Sequence, residues 1–177
     1  GSSEIVVCGK LLADSLIYGV MEGKHAVALY PRVSIVCLGD MEDTIFSKII
    51  RREVPATIVY EDEHSIAFLD NAPNVAGHTL VIPKKQVRNI FDADEETLTH
   101  VMNAIRKVAP AVRDAVGAKG VHINSNHEHE GGQEVFHLHF HIIPRHTREE
   151  FDFCWPKITL SAEETARIAS AMRARLS

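Results

Sequence analysis

The chain has 177 residues, 45% of them hydrophobic and 24% charged, with a formal net charge of −5 at pH 7. This fits a soluble globular chain of about one domain with a real core, and it argues against duplex nucleic acid as a partner, which a basic face would serve. No apolar run reaches the ~18–20 residues of a membrane span, and the three scattered cysteines (Cys8, Cys37, Cys154) form no CxxC, which excludes a disulfide framework and fits a reducing cytoplasm.

The chain opens GSSEIVVCGK, without a basic-then-apolar leader. Its Gly-Ser looks like a tag scar, and MEDTIFSKII from Met41 reads as a natural start. Residues 1–40 are therefore set apart as an N-terminal extension, either an upstream segment or an extra arm, and residues 41–177 are expected to form the domain. In DTIFSKIIRREV, Ile45, Ile49 and Ile50 recur at helical spacing, and Val54-Pro55 ends the helix. ATIVYEDE and SIAFLD read as two strands around an acidic turn, and HTLVIPKK as a third strand buried on both faces. DADEETLTHVMNAIRKVAPAVRDAVGAKG is the main helix, with Asp92 or Asp94 as cap and Gly117 near its end. Pro110 predicts a kink or break within it. GVHINSN is a fourth strand, HEHEGG a loop and VFHLHFHIIP a fifth strand. A closing helix, LSAEETARIASAMRARL, carries a capping box of Ser161 and Glu164. Strands joined by short turns, then a long helix, predict α+β with an antiparallel sheet.

A strand turns successive side chains to opposite faces, so His137, His139 and His141 are expected on one face and Leu138, Phe140 and Ile142 on the other. Four readings fit such a row: a histidine-rich surface strand, a metal site, a module that only holds a nucleotide, or covalent catalysis by one imidazole steadied by its neighbours. The flanks favour the last. Gly131 and Gly132 let backbone amides approach an anion, and Gln133 and Asn126 offer side-chain donors near it.

HLHFHII resembles the His-φ-His-φ-His-φ-φ signature of the histidine triad (HIT) family, and DTIFSKIIRREVPATIVYEDEHSIAFLD and GHTLVIPKK resemble that family's first helix, hairpin and third strand. The resemblance runs from Met41 to about Arg145, continues more weakly through FCWPKITLSAEE, and points to the bacterial branch. It implies a five-stranded antiparallel sheet with two main helices, paired into a ten-stranded sheet in a homodimer. It further implies a nucleotide hydrolase or transferase that cleaves at the α-phosphorus of a purine nucleoside monophosphate conjugate. The alternative is a nucleotide-binding interaction protein with incidental turnover. By the same matching His139 is the nucleophile, His137 helps hold its tautomer, His141 lies against the phosphate oxygens and His78 is the fourth histidine. Asp70 meets the ribose hydroxyls, with Asn71 beside it, while Ile45, Phe46 and Ile49 wall the base, and Asn126, Gln133 and Glu134 lie near the phosphate.

Two departures stand out. Glu134 occupies a position where many members carry Ser or Thr; it either faces away on a regular strand or folds back over a bulged turn toward the leaving group. Thr44, Ser47 and Gln86 replace the Cys, Cys and His that hold zinc in some bacterial members, so neither metal nor cofactor is expected. Trp155 is expected as an anchor, or as a segment reaching a partner's active site; Lys84, Lys85 and Arg88 as a solvated strand end; and His127 and His129 as loop residues near the leaving group.

Overall fold

The computed structural model describes residues 43–150 and 158–176. The expected extension at 1–40, the three cysteines and Trp155 lie outside the described residues.

Helix α1 (Ile45–Ile50) begins where Thr44 caps it, the Thr44 hydroxyl accepting the Ser47 N–H at 3.1 Å. Thr44 and Ser47, two of the positions compared with zinc ligands, thus serve as a helix cap. Strands β1 (Ile58–Glu61) and β2 (Ser65–Leu69) form a hairpin. Its turn is built by Asp62, whose carboxylate accepts the N–H groups of His64 and Ser65 at 2.9 and 2.7 Å. Strand β3 (Thr79–Pro83) is buried throughout. Helix α2 (Glu95–Ala115) starts at Asp94, not Asp92, with the Asp94 carboxylate accepting the Thr97 N–H at 2.8 Å. Gly117 follows its end at φ 64, a left-handed turn that glycine takes without strain.

Strands β4 (Gly120–Asn124) and β5 (Phe140–Arg145) complete an antiparallel sheet of order β1-β2-β3-β5-β4. The two faces of the sheet carry separate cores. Ala67, Val81 and Ile142 meet the stripe Val101, Ala104, Ile105, Val108 and Val112 of α2. Ile66, Phe68, Leu80 and Ile82 point the other way and pack with Phe46 and Ile49 of α1. The expected α+β, five-stranded architecture is therefore the one present. Helix α3 (Ala162–Leu176) carries the expected capping box, with Glu164 accepting the Ser161 N–H and Ser161 accepting the Glu164 N–H at 3.0 and 3.1 Å. None of its residues is buried.

Two expectations need correction. Pro110 neither ends nor breaks α2, which runs continuously through it. The proline is exposed, while the buried stripe continues from Val108 to Val112 past it, so burial on α2's inner face outweighs the lost main-chain bond. The fifth strand begins at Phe140, not Val135. The β3–β5 ladder stops at Val81 and Phe140, two residues before β3 ends, because Pro83 has no N–H to donate and its carbonyl is taken by the His137 ring at 2.8 Å. Residues 135–139 consequently bond elsewhere: the His137 N–H to the Val135 carbonyl at 2.9 Å and the Leu138 N–H to the Val87 carbonyl at 2.7 Å.

Candidate active site

The arm before β5 carries His137 and His139 onto the α1 side of the sheet, and β5 carries His141 there, opposite Leu80. His137 and His139 are buried, at 0% and 6% exposure, and His141 is half-buried. Leu138 and Ile142 point into the core as expected. The Phe46 ring meets His139 edge-on at 5.2 Å and His137 at 6.1 Å, so α1 forms one wall of the site. Ile49 is buried beside Phe46, whereas Ile45 remains exposed at the mouth.

Hydrogen bonds assign the tautomers. His139 Nδ1 lies 2.7 Å from the carbonyl oxygen of His137, to which it donates. The lone pair of His139 is therefore on Nε2. His137 thus holds the tautomer of His139, as expected, and does so through its main-chain carbonyl. The His137 ring donates from Nε2 to the Pro83 carbonyl at 2.8 Å, and its Nδ1 has no hydrogen-bond partner among the described residues. On the other side, the Asn74 N–H donates to His78 Nδ1 at 3.4 Å, and His78 Nε2 lies 2.9 Å from His141 Nδ1. One of these two rings donates to the other across this contact. Asp70 is half-buried with Oδ2 3.4 Å from His78 Nδ1, and its Oδ1 accepts the Ala72 N–H at 2.9 Å. Asn71 is exposed beside it.

Burial is the main cause that depresses all four imidazole pKa values, those of His78, His137, His139 and His141. His141 is pushed down furthest, to about 4, with His139 and His78 adding to the effect of burial. The cluster is therefore neutral near pH 7, the form in which an imidazole is a nucleophile and a hydrogen-bond donor.

Asp70, His78 and His141 place potential metal-ligand atoms within 4.8 Å of one another. Among these atoms His78 Nε2 is engaged by His141 Nδ1 at 2.9 Å, which links the two rings by a hydrogen bond.

The loop before the arm departs most from expectation. Gln133 is 2% exposed, and both its amide hydrogens are spent on main-chain carbonyls, Arg88 at 2.7 Å and Val135 at 3.1 Å. Its Oε1 accepts the Glu128 N–H at 2.9 Å. Instead of pointing a donor outward, Gln133 braces the loop. Asn126 donates to the Gly132 carbonyl at 3.1 Å, and Gly132 sits at φ 82, where a Cβ would be strained. Glu134 is exposed on a segment that is not a strand, and its charge favours protonation of His139. His127 acts on His139 in the opposite sense. Lys84, Lys85 and Arg88 form ion pairs with Glu61, Asp94 and Glu128 at 2.8, 2.5 and 2.5 Å. Sequence reasoning missed the link of Glu128 to Arg88 and Asn89, 40 and 39 positions away, because nothing local signals it.

The HIT domain family model matches residues 51–148. A relative named "Protein hit" from Bacillus subtilis is 38% identical over 76% of this chain and 95% of its own length. The crystal structure of a HIT family member from Bacillus subtilis aligns with a TM-score of 0.72 at 38% identity, covering 77% of this chain and 99% of that one. A Streptococcus mutans structure aligns at 0.75 with 34% identity over 84% of this chain and all of that one. A structure titled as a hypothetical histidine triad nucleotide-binding protein, from Sulfolobus tokodaii, aligns at 0.57 with 38% identity over 73% and 89%.

Proposed function

The chain belongs to the HIT family, and on that premise we propose that it is a nucleotide hydrolase or transferase acting at the α-phosphorus of purine nucleoside monophosphate conjugates. The observation that carries this reading is the bond from His139 Nδ1 to the His137 carbonyl, which frees Nε2 in a buried, neutral ring. A hypothetical histidine triad nucleotide-binding protein among the relatives supports the nucleotide.

In this mechanism Phe46 and Ile49, with Ile45 at the mouth, receive the base, and Asp70 with Asn71 receives the ribose diol. His141 Nε2–H donates to a phosphate oxygen, steadied through His78. His139 Nε2 attacks phosphorus, and the bond to the leaving group breaks with its electron pair on the departing atom, which takes a proton from solvent. Water then attacks phosphorus, the bond to His139 breaks, and the lone pair returns to Nε2 as water's proton goes to solvent. The products are the nucleoside monophosphate and the protonated leaving group. Glu134, whose charge favours a positive His139, stabilises the nucleotidyl-imidazolium formed between the two steps.

The test is turnover of an adenosine phosphoramidate by the chain and by His139→Asn. A loss of at least about 10³-fold is expected for removal of a nucleophile. Binding of AMP with no His139-dependent turnover would instead identify a nucleotide-binding interaction protein. The reading includes a homodimer in which β4, at the sheet's edge, meets its copy to give ten strands.

A further inference from the structure

We propose that Phe91 and His127 form the leaving-group side of this pocket, and that the conjugates it takes carry an aromatic leaving group without negative charge; the inference rests on the function proposed above. Phe91 is 75% exposed, yet its position is built. Asn89, fully buried, accepts the Phe91 N–H on Oδ1 at 3.0 Å and donates from Nδ2 to Glu128 at 2.6 Å. A buried amide satisfied in this way fixes the main chain on which the exposed ring stands.

The same network fixes His127. Its neighbour Glu128 adopts φ 62 and ψ 165, a conformation rare outside glycine. Arg88 holds the Glu128 carboxylate from two nitrogens, at 3.1 and 2.5 Å, while Gln133 accepts its N–H. His127 Nδ1 accepts the Ile90 N–H at 3.4 Å, which leaves its hydrogen on Nε2. The ring meets Phe91 edge-on, with centroids 6.0 Å apart, and two residues earlier the Ser125 hydroxyl donates to the His139 carbonyl at 2.6 Å, which holds this segment beside His139. A group leaving phosphorus opposite His139 can thus take a hydrogen bond from His127 and lie against Phe91.

The charge of this mouth selects among leaving groups. Arg88 is the cation of the loop, and Glu128 engages it. Asp92, Glu130 and Glu134 are exposed on the same two segments and form no salt bridge among the described residues. A polyphosphate tail would meet these carboxylates, whereas an arylalkyl amine would find the ring of Phe91 and a favourable field.

The experiment compares three adenosine monophosphate conjugates, joined to phenethylamine, to methylamine and to pyrophosphate (ATP), by kcat/KM. The chain is expected to favour the phenethylamide over both others. Phe91→Ala should lower the phenethylamide-to-methylamide ratio by about tenfold, the scale of a lost ring–ring contact, and Phe91→Tyr should keep it. His127→Gln, which can still accept from Ile90 and donate outward, should retain more activity than His127→Ala. An unchanged ratio in Phe91→Ala, or a preference for ATP, overturns the inference while leaving the proposed function standing if turnover still depends on His139. No turnover of any conjugate, or turnover that survives His139→Asn, overturns both.

Discussion

His139 is an ordinary side chain placed in an unusual position, and its protonation follows from that position. Burial depresses its pKa and those of His78, His137 and His141. The folded chain therefore binds fewer protons than the unfolded chain as the pH drops below about 6.5, the free imidazole value. The stability contributed by neutral, buried rings is full above about 6.5 and is lost as the pH falls toward the value near 4 of His141. The melting temperature is expected to hold flat above about 6.5 and to decline below it, less steeply in His141→Asn. In kcat/KM profiles the acid limb set by His139 should centre below about 6.5. A limb at or above that value would show that burial does not govern the nucleophile.

At the scale of elements, the loop that precedes β5 is braced rather than loose. Gln133→Ala would strip partners from the Arg88 and Val135 carbonyls and the Glu128 N–H, all bonded to its amide. A loss of about 1–3 kcal/mol per buried group left unsatisfied is the relevant scale. Chemical denaturation should show it, and a variant as stable as the parent would show that water replaces the amide freely. Helix α2 makes the opposite prediction. Pro110 is exposed inside it, so Pro110→Ala restores a main-chain donor without disturbing the Val101–Val112 stripe. It should stabilise the chain by about 1–3 kcal/mol. The melting midpoint is the measurement, and a fall would mean that the helix depends on a bend at this point.

For the molecule as a whole, no helix among the described residues is long and apolar enough to cross a membrane. The sheet ends in two edge strands, β1 and β4. Edge strands offer unpaired main-chain groups to another chain. On β4, Ile123 is 41% exposed, an apolar side chain at the edge that the proposed ten-stranded dimer would use. Light scattering of the full chain should give the mass of a dimer, and Ile123→Glu should shift it toward the monomer. A parent that is monomeric at micromolar concentrations would remove the paired sheet from the reading.

The histidine alternation, a cap at Asp92 or Asp94, the Ser161–Glu164 box and the helical and strand periods were legible in the sequence because each is set by residues within a few positions of one another. The chain's own order of motifs was likewise enough to bring the family into view. Where β5 starts was not legible: alternation continues through residues 135–139, but the ladder ends at Val81, just before Pro83, which has no N–H to extend it and lies more than 50 positions earlier. Nor could local pattern show that Gln133 spends its amide on the Arg88 carbonyl, or that His139 takes its tautomer from a main-chain oxygen. The sequence by itself determined which chemistry-bearing side chains exist and in what periodic order. Tertiary structure alone decided which of their hydrogen-bonding atoms were spent, because burial makes an unpaired polar group costly and the partners here come from distant parts of the chain.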